Sequence, residues 1–183
     1  MLVSEWEVLG RYRSQVFLKL VRLMRNLKII KSSPGKSSAA WTKKKSIPRV
    51  LYNWLLARLA DLVPFAQQKQ FFYRAMGIKI GKNVQILPQV FLDIFFPELI
   101  TIEDNVVIGM DAFLSCHEFN PTEFRYGPIT IKKNALIGAR AFVLPGVVIG
   151  ENSLVGAMTV VHSDVPANTL AFGSPMQFKK LSK

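Results

Sequence analysis

The sequence predicts an all-β solenoid of about four coils, built from short parallel strands and preceded by a basic helical N-terminal segment. Three observations carry this. In "IGARAFVLPGVVIGENSLVGAMTVVHSDVP" a branched aliphatic stands at residues 137, 143, 149, 155 and 161, each followed four places later by a small or β-branched residue. The same beat extends back to Ile80, with glycine after the aliphatic at 81, 109, 138, 150 and 156. Charge divides the chain: residues 1–77 hold 15 Lys/Arg against Glu5, Glu7 and Asp61, whereas residues 78–183 carry nine basic and nine acidic residues.

From the N-terminus, "RYRSQVFLKLVRLMRNLKII" sets Val16, Leu20, Leu23, Met24 and Leu27 at helical spacing, with Arg11, Lys19, Arg22 and Arg25 elsewhere around the wheel. "KSSPGKSSAAWTKKKSIP" then reads as a linker. A second helix is expected in "RVLYNWLLARLADLV", broken at Pro64, and a short third in "AQQKQFFYRAM", ended by Gly77. The division is therefore 1–77, a basic helical region with a Lys/Ser-rich linker, and 78–183, the solenoid.

The aliphatic positions of the solenoid fall at Ile80, Ile86 and Leu92, then Ile102, Ile108 and Leu114, then Ile131, Ile137, Val143, Ile149, Val155 and Val161. Six residues turn an α-helix by about 600°, which would scatter these side chains around its surface. Three hexads per coil instead point every aliphatic inward and stack it on its counterpart ~4.8 Å away. Glycine and the small fifth residue suit the tight corners. The beat breaks after Leu92 and after Leu114, and breaks are where a solenoid projects loops. After the second, phase resumes at Ile131 instead of residue 120, with His117 at the mouth of the excursion.

Composition narrows the class. Cys116 is the one cysteine, so no intrachain disulfide is available and a reducing compartment is expected. "MLVSEWEVLG" lacks the basic start of a leader, and no run of 18 apolar residues occurs, so a cytoplasmic, non-spanning protein is expected. The basic N-terminal half matches no nucleic-acid-binding motif. Two histidines, His117 and His162, cannot supply a three-His zinc site within one chain.

The beat, with "IGARAFVLPGVVIGENSLVGAMTVVHSDVPANTLAFGSP", resembles the hexapeptide-repeat acyltransferases, in particular the maltose and galactoside O-acetyltransferase branch. The likeness covers roughly residues 72–180. It implies a left-handed parallel β-helix, a homotrimer, acetyl-CoA as donor and no required metal. "SCHEFNP" matches the family's catalytic segment, which makes His117 the expected general base. By the same resemblance Ala139, Ala157, Ser163 and Lys180 are expected along coenzyme A, although leucine at 136 and the pair His162–Ser163 depart from the sugar enzymes' Trp and Thr-Lys. His162 is expected at the surface.

The remaining expectations come from chemistry. A sugar hydroxyl is a weak nucleophile, and a base of pKa near 7 that removes its proton contributes roughly 10²- to 10⁴-fold. Cys116 offers a rival route as an acyl-accepting nucleophile, but its hexad position is expected to face outward. Asp93 lies beside the first break, where the family resemblance implies an acceptor contact; the alternative is a solvent-facing loop residue. Glu123, Arg125 and Tyr126 in "EFRYGPI" suit a carbohydrate acceptor. The reading is thus an acetyl-CoA-dependent O-acetyltransferase of a sugar or glycan precursor, with N-acetylation of an aminosugar, a non-catalytic trimeric scaffold or a membrane-associated interaction protein as alternatives. Residues 1–50, with Trp41, form either a peripheral anchor for anionic membrane or a segment packed on the fold.

Overall fold

A computed structural model gives the fold over residues 25–181. It is a left-handed parallel β-helix whose three faces are ladders of short strands. The first face stacks β2 (Lys79–Ile80), β5 (Ile100–Ile102), β10 (Ile129–Ile131) and β13 (Val148–Ile149). The second stacks β3 (Gln85–Ile86), β6 (Val107–Ile108), β11 (Leu136–Ile137), β14 (Leu154–Val155) and β16 (Thr169–Phe172). The third stacks β4 (Phe91–Leu92), β7 (Phe113–Leu114), β12 (Phe142–Val143) and β15 (Val160–Val161). Finally β17 (Gln177–Lys180) folds back antiparallel on β16 and closes that end.

Each expected aliphatic ends a strand and pairs in register with its counterpart, as in Ile80–Ile102–Ile131–Ile149 and Leu92–Leu114–Val143–Val161. All but the terminal, half-buried Ile80 are buried. The corners differ from expectation. The left-handed turn is made at the fourth hexad position, where Asn83, Asn105, Asn134, Asn152 and Asn168 have φ of 53–59°. Asparagine enters this region more readily than most residues because its short polar side chain can hydrogen-bond locally. Their amides form a ladder along one edge, with bonds of 3.2, 3.0, 2.9 and 3.2 Å. The glycines serve close approach instead: a Cβ on Gly109 would lie 2.6 Å from the Ala139 nitrogen of the next coil, and one on Gly138 2.5 Å from that of Ala157.

Between residues 25 and 77 the chain packs against the solenoid. Helix α1 (Ile47–Asp61), with proline in its first turn, packs on α2 (Gln70–Met76), which ends at Gly77 with φ 108°. Ala40, Ala60, Tyr73 and Met76 share one core with the solenoid aliphatics, so packing continues across the expected boundary at residue 77. The helix expected over 11–30 lies mostly outside the described residues. Its last three residues fall in strand β1 (Lys28–Lys31), and the expected linker contains a 3-10 helix at Ser37–Lys43. Here tertiary pairing overrides helical periodicity: β1 finds an open strand edge at β9 (Glu123–Tyr126) and joins it antiparallel. Trp41 packs on Phe95 with ring centroids 5.0 Å apart. Between residues 25 and 46 the chain is thus paired with the hairpin and packed on the fold.

Candidate active site

The long excursion is a β-hairpin, not an irregular loop. Strand β8 (His117–Asn120) pairs with β9, and β1 lies along the outer edge of β9. Asn120 folds the tip by accepting bonds from the Thr122 and Glu123 amides at 3.0 and 2.8 Å. Ser37 Oγ donates to the Asn120 carbonyl, and Ser32 N–H donates to that of Thr122 at 2.8 Å. The chain before β1 holds the other end. Arg25 donates from both terminal nitrogens to Glu118 at 3.0 and 2.9 Å and to the Pro145 carbonyl at 3.3 Å. Asn26 crosses so close to Gly127 and Gly146 that a Cβ on either would meet its backbone.

His117 begins this hairpin and is oriented by Asp93. Because Leu92 stacks on Leu114, the residues following each strand meet one coil apart. Asp93 is fully buried, so its carboxylate needs partners, and it has four. Oδ1 accepts the Phe95 and Phe96 amides at 2.7 and 3.0 Å, and Oδ2 accepts the Cys116 amide at 2.7 Å and lies 2.6 Å from His117 Nδ1. A carboxylate surrounded by backbone donors acts only as acceptor, so Nδ1 carries the proton and Nε2 presents a lone pair. The imidazole stacks on Phe124, with centroids 5.5 Å apart and planes 11° apart, and meets Phe95 edge-on at 4.9 Å. Its side chain retains 18% exposure, which leaves the ring reachable.

Several expectations are corrected at this point. Asp93 does not face solvent: it is fully buried, with its carboxylate engaged by four groups of the chain, and it is the partner of His117. Cys116 faces inward and is fully buried. Burial, followed by the neighbouring Asp93 charge, pushes its thiol well above the usual range, so it is held protonated and inaccessible. Arg125 donates to Glu123 at 2.8 Å and reaches Glu118 at 3.4 Å, while Tyr126 stacks on Phe96 at 4.9 Å. Glu123, Arg125 and Tyr126 thus stand on the hairpin that carries His117, each half-buried and engaged with neighbours.

The residues expected along coenzyme A lie elsewhere. Ala139 and Ala157 are exposed at one corner on successive coils, between the second and third faces, and the Met158 amide donates to the Ala139 carbonyl at 2.9 Å. His117 follows the third face at its opposite edge. Ser163 is buried just beyond β15, Lys180 is exposed on β17, and His162 is half-buried. Ala139 and Ala157 therefore lie across the third face from His117, whereas Ser163, two residues past Val161, follows that face at the same edge as His117 on a later coil.

Comparison with known proteins places this geometry. The profile described as "Bacterial transferase hexapeptide (six repeats)" matches residues 128–163. "Putative acetyltransferase YvoF" of Bacillus subtilis is 34% identical over 144 residues, covering 77% of this chain and 84% of the relative. The galactoside O-acetyltransferase of Escherichia coli is 37% identical over 112 residues, covering 57% of this chain and 54% of that one. Among solved structures, a hexapeptide-repeat acetyltransferase of Vibrio cholerae complexed with acetyl coenzyme A aligns with a TM-score of 0.66 at 23% identity, over 78% of this chain and 92% of that one. A maltose O-acetyltransferase of Clostridium difficile aligns at 0.62 with 21% identity, over 75% and 88%. A twelve-hexad coil carrying a His-bearing hairpin, together with a relative of this identity and coverage, makes the chain a member of the hexapeptide-repeat acetyltransferase family.

Proposed function

We propose that the protein transfers the acetyl group of acetyl-CoA to a hydroxyl of a sugar or glycan precursor, with His117 as general base and Asp93 as its positioning residue. The observation that carries this is the 2.6 Å contact between buried Asp93 and His117 Nδ1, which leaves Nε2 as the proton acceptor. The acceptor hydroxyl gives its proton to Nε2 as its oxygen attacks the thioester carbonyl. The tetrahedral oxyanion collapses, the C–S bond breaks, and the imidazolium returns the proton to the departing CoA sulfur. No acyl-enzyme forms, and the buried, protonated Cys116 favours this direct route.

Acetyl-CoA as donor is supported by the Vibrio cholerae relative, and a sugar hydroxyl by the galactoside enzyme. Ala139 and Ala157 are proposed beside the pantetheine arm, where small side chains let backbone approach a ligand, with Ser163 and Lys180 toward the phosphates. Because that corner and His117 occupy opposite edges of the third face, a homotrimer that sets one chain's corner against the next chain's hairpin is the proposed active assembly. Glu123, Arg125 and Tyr126 are proposed to border the acceptor.

The test is thiol release from acetyl-CoA across a panel of sugars, lipid-linked saccharides, aminosugars and amino acids. His117→Ala is expected to lower turnover by on the order of 10² or more, and Cys116→Ala to leave it near the wild-type value. Loss with the cysteine variant and tolerance of the histidine variant would establish an acyl-enzyme route instead.

A further inference from the structure

We infer that the outer face of α1 and the turn beyond it form a docking surface for an anionic lipid membrane. Helix α1 is apolar on both sides. One side buries Val50, Asn53 and Ala60 against the fold, with Asn53 Nδ2 donating to the Ile94 carbonyl at 2.8 Å. On the other side Leu51, Trp54, Leu55 and Leu62 lie within about 100° of arc at 3.6 residues per turn, with the exposed Arg58 among them. Phe65 in the following turn and Phe71 on the packed helix α2 add to this surface, and all six side chains are between 50 and 78% exposed. A helix that is apolar all round is one whose second side is also covered, and six large apolar groups so exposed mark an interaction site.

Charge identifies the occupant. Between residues 25 and 77 the chain carries 11 Lys/Arg and one acidic residue, Asp61, which is paired with Arg58 at 3.0 Å; Arg25 is held by Glu118, Lys45 by Glu98, and Lys69 is buried, so the surface charge comes from the others. Lys43 and Lys44 lead into the helix, and Arg49 extends over the Tyr52 ring at 5.2 Å. A second copy presenting the same face would set like charges together. Of the solenoid carboxylates, Glu103 pairs with Lys132, Asp111 with Arg140 and Glu151 with Lys133. Anionic phospholipid supplies both an apolar layer for the leucine and aromatic side chains and phosphates for the cations. This surface is distinct from residues 25–46, which are held in the fold, and its test is independent of the acetyl-transfer reading because it measures binding alone.

The experiment is co-sedimentation of the full chain with phosphatidylglycerol/phosphatidylcholine vesicles and with phosphatidylcholine vesicles alone. Binding is expected to the anionic vesicles only and to weaken several-fold between 0.1 and 0.5 M NaCl, in proportions set by screening (about 10 Å at 0.1 M). Leu51→Gln combined with Trp54→Gln is expected to lower the partition coefficient at least tenfold, since each removes an apolar side chain worth about tenfold in transfer. These positions are exposed, so circular dichroism and melting of the variant should match the wild type. On the unaltered chain, brominated anionic lipid should quench tryptophan fluorescence. Undiminished binding by the double variant would overturn the proposal, since lipid would then be held by another segment. Absence of quenching, or a change of the variant's oligomeric state in sedimentation without any lipid binding, would also overturn it, the latter by making the face a contact between copies.

Discussion

Replacing Asp93 by Asn tests the proposed base at the atom that matters. Asparagine keeps one acceptor oxygen and turns the other into a donor, but Asp93 accepts from two amides on one side and from Cys116 N–H and His117 Nδ1 on the other. With the NH₂ toward Phe95 and Phe96, two buried amides lose their acceptor, at about 1–3 kcal/mol each. With the NH₂ toward His117, only the Cys116 amide is orphaned, because the imidazole can change tautomer and accept at Nδ1. The second orientation is cheaper by about one such penalty and so prevails. Its consequence is chemical: the proton moves to Nε2, where the lone pair was needed. The corresponding Asp→Asn change in a serine protease triad lowers kcat about 10⁴-fold for the same reason. The expected result is a fall in kcat of roughly 10³- to 10⁴-fold, with the acetyl-CoA KM nearly unchanged. A stability loss of about 1–3 kcal/mol should lower Tm by several degrees. Steady-state thiol release and thermal melting of the same preparation measure both. A folded Asn variant that keeps kcat within about tenfold would refute the tautomer argument, as would a loss confined to KM.

Two further outcomes follow from the packing. Arg25→Met removes the bidentate partner of Glu118, whose remaining cation, Arg125, is 3.4 Å away. Breaking so buried a pair should cost about 3 kcal/mol and lower kcat through loss of hairpin order, with partial rescue by Arg25→Lys; a Tm within one degree of wild type would show that the N-terminal clamp is idle. Burial raises the folded pKa of both the Cys116 thiol and the Tyr73 phenol. Above about pH 9 the unfolded chain therefore ionises while the folded chain does not, so stability present at lower pH is lost by up to about 1.4 kcal/mol per pH unit for each group titrating only in the unfolded state. Denaturant titrations at pH 8–11 should show this decline, flattened in Cys116→Ala and Tyr73→Phe, and native Cys116 should resist alkylation at pH 8; rapid labelling or a pH-independent midpoint would contradict the burial argument.

The solenoid was legible because its cause is local and periodic. Each coil repeats one inward aliphatic per strand, so Ile80 through Val161 could be assigned from spacing alone, and the breaks after Leu92 and Leu114 marked where the site would be. Stacking Leu92 on Leu114 would even have brought Asp93 near His117, had the register been followed one residue past the strands. The partners of the N-terminal segment could not be read in this way. Lys28–Lys31 carries no alternating pattern that distinguishes a strand from the end of a helix, and it is a strand only because β9 presents an open edge. Likewise Cys116 faces inward because the chain leaves the beat at that point, and Glu118 meets Arg25 across 93 residues of sequence. The sequence by itself determined the coil, its period and the place of the break that carries His117, since these depend on contacts repeated every six residues. Only the tertiary structure decided what orients that histidine and what braces its hairpin, since those contacts join segments whose meeting depends on the closed coil.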